Sequence, residues 1–183
     1  MTTVERLYDK HGFAFLKHAD RQYSLSFCME NKRIDLAKIV DFPLVKLIYD
    51  LNNDIYDKVR LDIHSDSNAT LNLLMKPLFE ELGMPQRFSY VNLVKTVGEK
   101  DITFVAQTIK HKRPPDMPAE AELMPMDQMT CICDITTPNA IHFTVHIQFA
   151  PTLTIPPMVE KMVGLILYKI FNKVKQFIEN VAM

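Results

Sequence analysis

The chain is short of glycine, with 4 in 183 residues, and Gly12, Gly83, Gly98 and Gly164 stand far apart. Loops that cradle phosphate with successive backbone N–H groups need clustered glycines, so a P-loop or a dinucleotide-binding turn is excluded. Cysteine is scarce and odd in number, 3 in all, and the first ten residues lack the apolar run of a signal peptide. Both features predict an intracellular setting, cytoplasmic or nuclear, rather than a disulfide-stapled secreted one. Neither sign of charge is in excess: 21 basic against 22 acidic residues leave a net charge of -1, too little to hold nucleic acid by bulk charge alone. No stretch combines about 20 apolar residues without charge, which excludes a membrane-spanning helix.

What is present is a 48% hydrophobic chain, enough to bury one good core, so 1–183 reads as a single domain. Its clearest element is residues 157–183. Pro156 and Pro157 stop the preceding strand and start a helix in which Val159, Val163, Ile166, Ile170, Val174, Phe177 and Val181 recur three or four apart. Glu160, Lys161, Lys169, Lys173, Lys175, Gln176 and Glu179 occupy the other side, while apolar residues nearly surround the axis over 162–171. That half is expected to lie deeper than the charged last turns.

Period-two runs predict hairpins over 13–16 with 23–29, over 88–97 with 102–109, and over 129–135 with 141–149. A shorter alternating run suggests a strand at 59–63. Helical spacing over 35–51 is interrupted by Pro43 and suggests two short helices, and 71–82 reads as a helix ended by Gly83 and Pro85. The fold class expected is α+β: a mainly antiparallel sheet of hairpins with the long C-terminal helix packed across one face.

Two places stand out for binding. The basic tetrad Lys110, His111, Lys112 and Arg113 opens a Pro-rich loop at 110–126 and could touch phosphate. In the last strand, His142, Thr144, His146 and Gln148 share one face, polar and hydrogen-bonding, opposite the apolar Ile141, Phe143, Val145, Ile147 and Phe149. Cys131, Cys133, His142 and His146 have the composition of a zinc site. If Ile135 pairs with Ile141, however, the cysteines point into the core and the histidines away from it, so no metal is expected. Met117, Met124, Met126 and Met129 supply either flexible core filling or an adaptable apolar surface. No nucleophile motif or matched acid and base appears, so the expectation is a binding protein without cofactor, not an enzyme.

Leu82-Gly83-Met84-Pro85-Gln86-Arg87-Phe88, continued by Val97-Gly98 and Asp101-Ile102-Thr103-Phe104, resembles the junction between the two repeats of the TATA-box-binding protein family. Glu122-Leu123-Met124-Pro125 is similar to that family's Glu-Leu-Phe-Pro, and Arg33-Ile34-Asp35-Leu36-Ala37-Lys38-Ile39 to its first helix. The resemblance implies a related fold acting in transcription through nucleic acid or a transcription protein. Met124 departs from the family's wedging phenylalanine, the Gly-rich turn between the last two strands is missing, and each half is at least one strand short. The strand, proline and helix ending with its apolar 162–171 stretch resembles instead the START-like helix-grip lipid carriers, in which a curved antiparallel sheet wraps a long C-terminal helix around an apolar cavity. A third expectation is a structural subunit that buries 162–171 or the Met-rich loop in a partner or a second copy. The Met-rich, Gly-poor, Trp-free texture is similar to divergent proteins of large DNA viruses, which would make such an assembly viral.

Overall fold

The computed structural model describes residues 4–78 and 80–181. Ten strands form one sheet: β1 (Glu5–Lys10), β2 (Phe13–Ala19), β3 (Gln22–Glu30), β4 (Tyr56–Ile63), β5 (Asn68–Met75), β6 (Arg87–Val97), β7 (Asp101–Thr108), β8 (Glu122–Leu123), β9 (Met126–Thr137) and β10 (Ala140–Phe149). Two helices accompany them, α1 (Phe42–Asp50) and α2 (Pro157–Asn180). The strand order is β1-β2-β3-β10-β9-β7-β6-β5-β4, antiparallel throughout, with β8 alone pairing parallel to β6. Edge strand β1 meets α2, edge strand β4 meets α1, and the two helices meet each other, so the sheet wraps around α2. This is the expected α+β architecture.

Alternation along β10 sets the two faces of the sheet. Ile141, Phe143, Val145, Ile147 and Phe149 are buried on the inner side, opposite Met29, Phe27, Leu25 and Tyr23 of β3 and Ile135, Cys133, Cys131 and Met129 of β9. Ile135 pairs with Ile141 as the periodicity requires. The helical reading of 71–82 is overturned: 71–75 belong to β5, and beyond them there is only a 3-10 turn at Glu80–Leu82; Phe79 lies outside the described residues. Leu71 and Leu73 face the core, whereas Leu74 packs on the outer face with Phe88, Met117 and Ala121. A strand covered on both faces loses its alternation, and its leucines then fall at helical spacing.

Pro43 begins α1 rather than breaking it. Asp41 caps the helix, its Oδ1 accepting from the Phe42 N–H at 2.7 Å, and proline is tolerated in that first turn. Ahead of it the chain makes only a 3-10 turn, Leu36–Lys38.

α2 is held unevenly. Its second half is sealed: Ile170, Phe171, Val174 and Ile178 are buried against an aromatic stack in which Phe27 meets Phe13 at 4.8 Å, Phe143 at 5.0 Å and Phe171 at 5.3 Å between centroids. Asn31 Nδ2 donates to the Ile178 carbonyl at 2.6 Å, satisfying one of the acceptors that a helix leaves open at its end. Asn52, just past the end of α1, donates to the Ile48 carbonyl in that helix's last turn and to the Ile170 carbonyl within α2, tying the two helices together. Asp54 binds both Lys169 and Lys173, which holds its carboxyl well below the usual carboxylate range against a smaller opposing effect of burial.

The first half is held at points. Gly164 lies so close to Phe15 that a Cβ would stand 2.7 Å from the ring, so the helix crosses β2 there without a side chain. Glu160 is buried, accepting from the Tyr23 hydroxyl at 2.5 Å and from Lys17 at 2.7 Å. Leu165 remains half exposed, and the deep part of α2 is therefore 170–178 rather than the apolar 162–171 stretch. Ile178 takes the buried place expected of Phe177, which is 46% exposed. Residues 182 and 183, within the predicted helix, lie outside the described ones.

Removing the carboxylate of Glu160 leaves a buried hydroxyl and a largely covered ammonium without their acceptor. Glu160→Ala is expected to lose about 2–3 kcal/mol in urea unfolding and Glu160→Gln, which keeps an acceptor oxygen, clearly less. Asp54→Asn is expected to lower the melting temperature by about 1–3 °C at neutral pH. Because the folded-state carboxyl titrates below the unfolded one, Asp54 stabilises fully above about pH 4 and loses that contribution as pH falls toward its depressed value. Melts from pH 7 to 2 should therefore show wild type and Asp54→Asn converging in acid; a constant gap would mean that the lysine pairs do not act through the charge.

Candidate functional site

Where α2 stands off the sheet there is a cavity of about 220 Å³. Its floor comes from Leu73, Val91, Met129 and Ile147 on four strands, and its roof from Val163 and Ile166 of α2. Lys76, Leu78, Met84 and Pro85, with Met124, Pro125 and the 153–156 segment, complete the rim. A second void of about 60 Å³ lies deeper, and Tyr49, Met129 and Phe171 line both. The wall is almost wholly apolar, and the methionines Met75, Met84, Met124, Met126 and Met129 contribute unbranched side chains that follow an irregular surface. The methionines flagged ahead of β9 are thus cavity wall, while Met117 belongs to the small outer cluster.

Few polar groups reach this wall. Tyr49, near the end of α1, and Tyr56, at the start of β4, meet edge-on with centroids 5.2 Å apart. Burial pushes both phenols well above their ordinary value, so both stay protonated across the physiological range. Lys76 and Arg87 lie where β5 ends and β6 begins, and Arg87 is paired with Glu122 at 2.8 Å. No helix among the described residues is long and apolar enough to cross a membrane.

The residues singled out in the sequence lie elsewhere. His142, Thr144, His146 and Gln148 line the outer face of β10, across the sheet from the cavity. His142 Nδ1 is 3.1 Å from the Cys28 thiol, and the His146 ring lies 6.4 Å from that of His18. Cys131 and Cys133 point inward, so the register keeps them from the histidines; among the described residues no group of three or more His, Cys, Asp or Glu could hold a metal. In the basic tetrad, Lys110 pairs with Asp127, whereas Arg113 turns back to the Pro118 and Ala121 carbonyls and covers the Phe88 ring at 4.9 Å. His111 and Lys112 are exposed. Lys110 and Gln148 line one shallow polar depression, and His146 and Gln148 line another. Sequence reasoning missed Tyr49 and Tyr56, which only the assembled fold brings to the cavity, and Glu160, whose partners Tyr23 and Lys17 are distant in the chain and which fell on the polar side of the helical pattern.

No family model matches the chain, and no curated protein matches it by sequence. Solved structures do match. Human STARD10 superposes with a TM-score of 0.70 at 13% identity over 94% of this chain and 71% of its own. The lipid transfer and protein localization domain of human StarD13 (DLC2) gives 0.71 at 9% identity, covering 99% and 91%. A STAR-related lipid transfer protein from Xanthomonas axonopodis gives 0.66 at 10% identity, covering 94% of each chain. These likenesses overturn the resemblance to the TATA-box-binding protein family, and the transcription and DNA-binding expectations fall with it. The matching fragments are otherwise placed: the helix expected before Gly83 is strand β5, residues 36–38 make a 3-10 turn, and Glu122–Leu123 is a short parallel strand. The fold of the chain is the helix-grip fold of the StAR-related lipid transfer domains.

Proposed function

We propose that the protein binds a small apolar molecule, or one apolar chain of a lipid, in the cavity beneath the first half of α2. The observation that carries this reading is the cavity itself, an apolar void of about 220 Å³ lined largely by core residues. An unfilled void of that size costs on the order of 5 kcal/mol in lost contacts. A ligand that fills it restores them. The likeness to lipid transfer domains supports the same reading.

Size narrows the class. An apolar cavity of about 150 Å³ stays dry and accepts benzene, whereas drug-sized ligands occupy about 300–1,000 Å³. As it stands the cavity suits a single ring or a medium-length chain, and anything larger requires the first half of α2 and the 153–156 segment to move outward. The reading is of binding without catalysis: the wall offers shape and apolar surface, and among the described lining residues there is no carboxylate, imidazole or thiol. Within 162–171, Val163, Ile166 and Leu167 form the cavity roof, while Leu165 stays half exposed on the other side of the helix.

Filling the cavity tests the reading. Val163→Phe puts a ring into the void and is expected to keep or raise the melting temperature while abolishing binding of ethylbenzene, measured by calorimetric titration and by ligand-induced stabilisation of wild type. Undiminished ethylbenzene binding to Val163→Phe, or none to wild type, would overturn it.

A further inference from the structure

Two polar groups in the cavity wall have no role in holding the fold together. Tyr49 is 9% exposed and Tyr56 half-buried, yet among the described residues neither hydroxyl has a hydrogen-bond partner, and burial and mutual proximity to other titrating groups are all that perturb them. Elsewhere in the interior, orphaned oxygens such as those of Asn52 and Asn72 are sealed in protein. The two phenol oxygens are not among these sealed atoms, and both residues line the cavity. A buried hydroxyl left without a partner costs about 1–3 kcal/mol, and a phenylalanine at either position would avoid that cost at nearly the same volume.

We propose that Tyr49 and Tyr56 donate hydrogen bonds to an uncharged oxygen of the ligand, so that the cavity selects apolar molecules bearing one ketone, ester, ether or hydroxyl oxygen over plain hydrocarbons and over carboxylates. The inference rests on the cavity being a binding site and adds what that site distinguishes. Donation is the only role two protonated phenols can play toward a ketone or ester, and an anion at the same place would be stripped of water without a countercharge. The cations of the wall, Lys76 and Arg87, lie at the junction of β5 and β6, and Arg87 is already neutralised by Glu122. Tyr49 also lines the deeper void, so a ligand oxygen bound there sits at the boundary between the two spaces with its apolar part in the larger one.

Three probes of nearly one shape separate the possibilities: acetophenone, its hydrocarbon counterpart ethylbenzene, and benzoate, each titrated calorimetrically into wild type, Tyr49→Phe, Tyr56→Phe and the double variant. Each substitution removes one oxygen that bonds to nothing described in the protein, so melting temperatures should hold or rise; Tyr56→Phe alone serves if Tyr49→Phe does not fold. The expected result is that acetophenone weakens about tenfold in the double variant while ethylbenzene changes less than about twofold. Unchanged acetophenone affinity in the double variant would overturn the proposal while leaving the cavity reading intact. Benzoate binding wild type as tightly as acetophenone, and losing that affinity in Lys76→Ala, would also overturn it by placing a charged head at Lys76. Failure of ethylbenzene and acetophenone alike to bind wild type would remove the cavity reading and this one together.

Discussion

The constraint on which the rest of this structure depends is that one long helix must cover a sheet that wraps around it. The two surfaces cannot follow each other along 24 residues, and the chain resolves the mismatch at one end. From Ile170 onward α2 drops its large side chains into the Phe13, Phe27, Phe143 stack, where stacked and tilted rings add contact energy beyond their buried area. The mismatch is left at the other end, where Gly164 permits one close approach over Phe15 and Glu160 supplies one buried polar tie. Between and beyond those points the helix spans a gap. The cavity is therefore a consequence of how α2 is fastened, and not a hole cut into a finished core.

The fastening is polar where the packing is good and where it is poor, but for different reasons. At the end of α2, Asn31 reaches carbonyls that would otherwise be orphaned, and Lys175 and Glu179 engage the Cys28 carbonyl and the Glu30 N–H on the part of β3 that extends beyond β2. The Asn31 bond satisfies a buried backbone group that would otherwise be penalised, and the other two tie the exposed end of the helix to β3. At the start, Glu160 meets Tyr23 and Lys17, two side chains, and no backbone acceptor depends on it. A buried ion pair of this kind gives position more than net stability, since its Coulombic attraction is largely offset by desolvation. Where α2 begins over the cavity is thus set by direction-specific contacts rather than by apolar area.

Legibility in the sequence followed the same division. β10 was readable because one face is buried and the other is not, and its register with β9 followed from matching apolar faces. The hairpins β2–β3 and β6–β7 were visible for that reason as well, and α2 was visible because its stripe repeats for six turns. β5 was not: Leu71, Leu73 and Leu74 are covered from both sides, and helical spacing is what such a strand leaves behind. β1 escaped too, because an edge strand guarded by Glu5, Arg6, Asp9 and Lys10 carries charge where a half-buried strand would alternate. The misleading fragments of family resemblance, Leu82-Gly83 and Val97-Gly98, mark turns, and turn chemistry recurs in unrelated folds. As for the site, its wall is drawn from α1, five strands, three connecting segments and α2, so no local pattern could have assembled it. The histidine face of β10 was correctly read as a face; nothing in a single strand tells which side of the sheet will hold a ligand.

The composition of the cavity wall divides shape from recognition. A methionine side chain has no branch at Cβ and three rotatable bonds beyond it, so Met75, Met124, Met126 and Met129 can close on occupants of different outline at small energetic cost. A wall made only of such residues would bind by size and tell one apolar molecule from another poorly, since a methylene more or less changes affinity by a factor of about 10 to 200 at most. Tyrosine is the opposite kind of residue. Its ring is rigid, and here two rings pack edge to face, which fixes where the hydroxyls stand. A fixed donor in a dry wall discriminates by chemistry rather than by size, because a ligand without the matching oxygen leaves the donor unpaired. Methionine therefore sets how large and irregular a ligand the cavity tolerates, and the tyrosine pair sets which chemistry the cavity prefers.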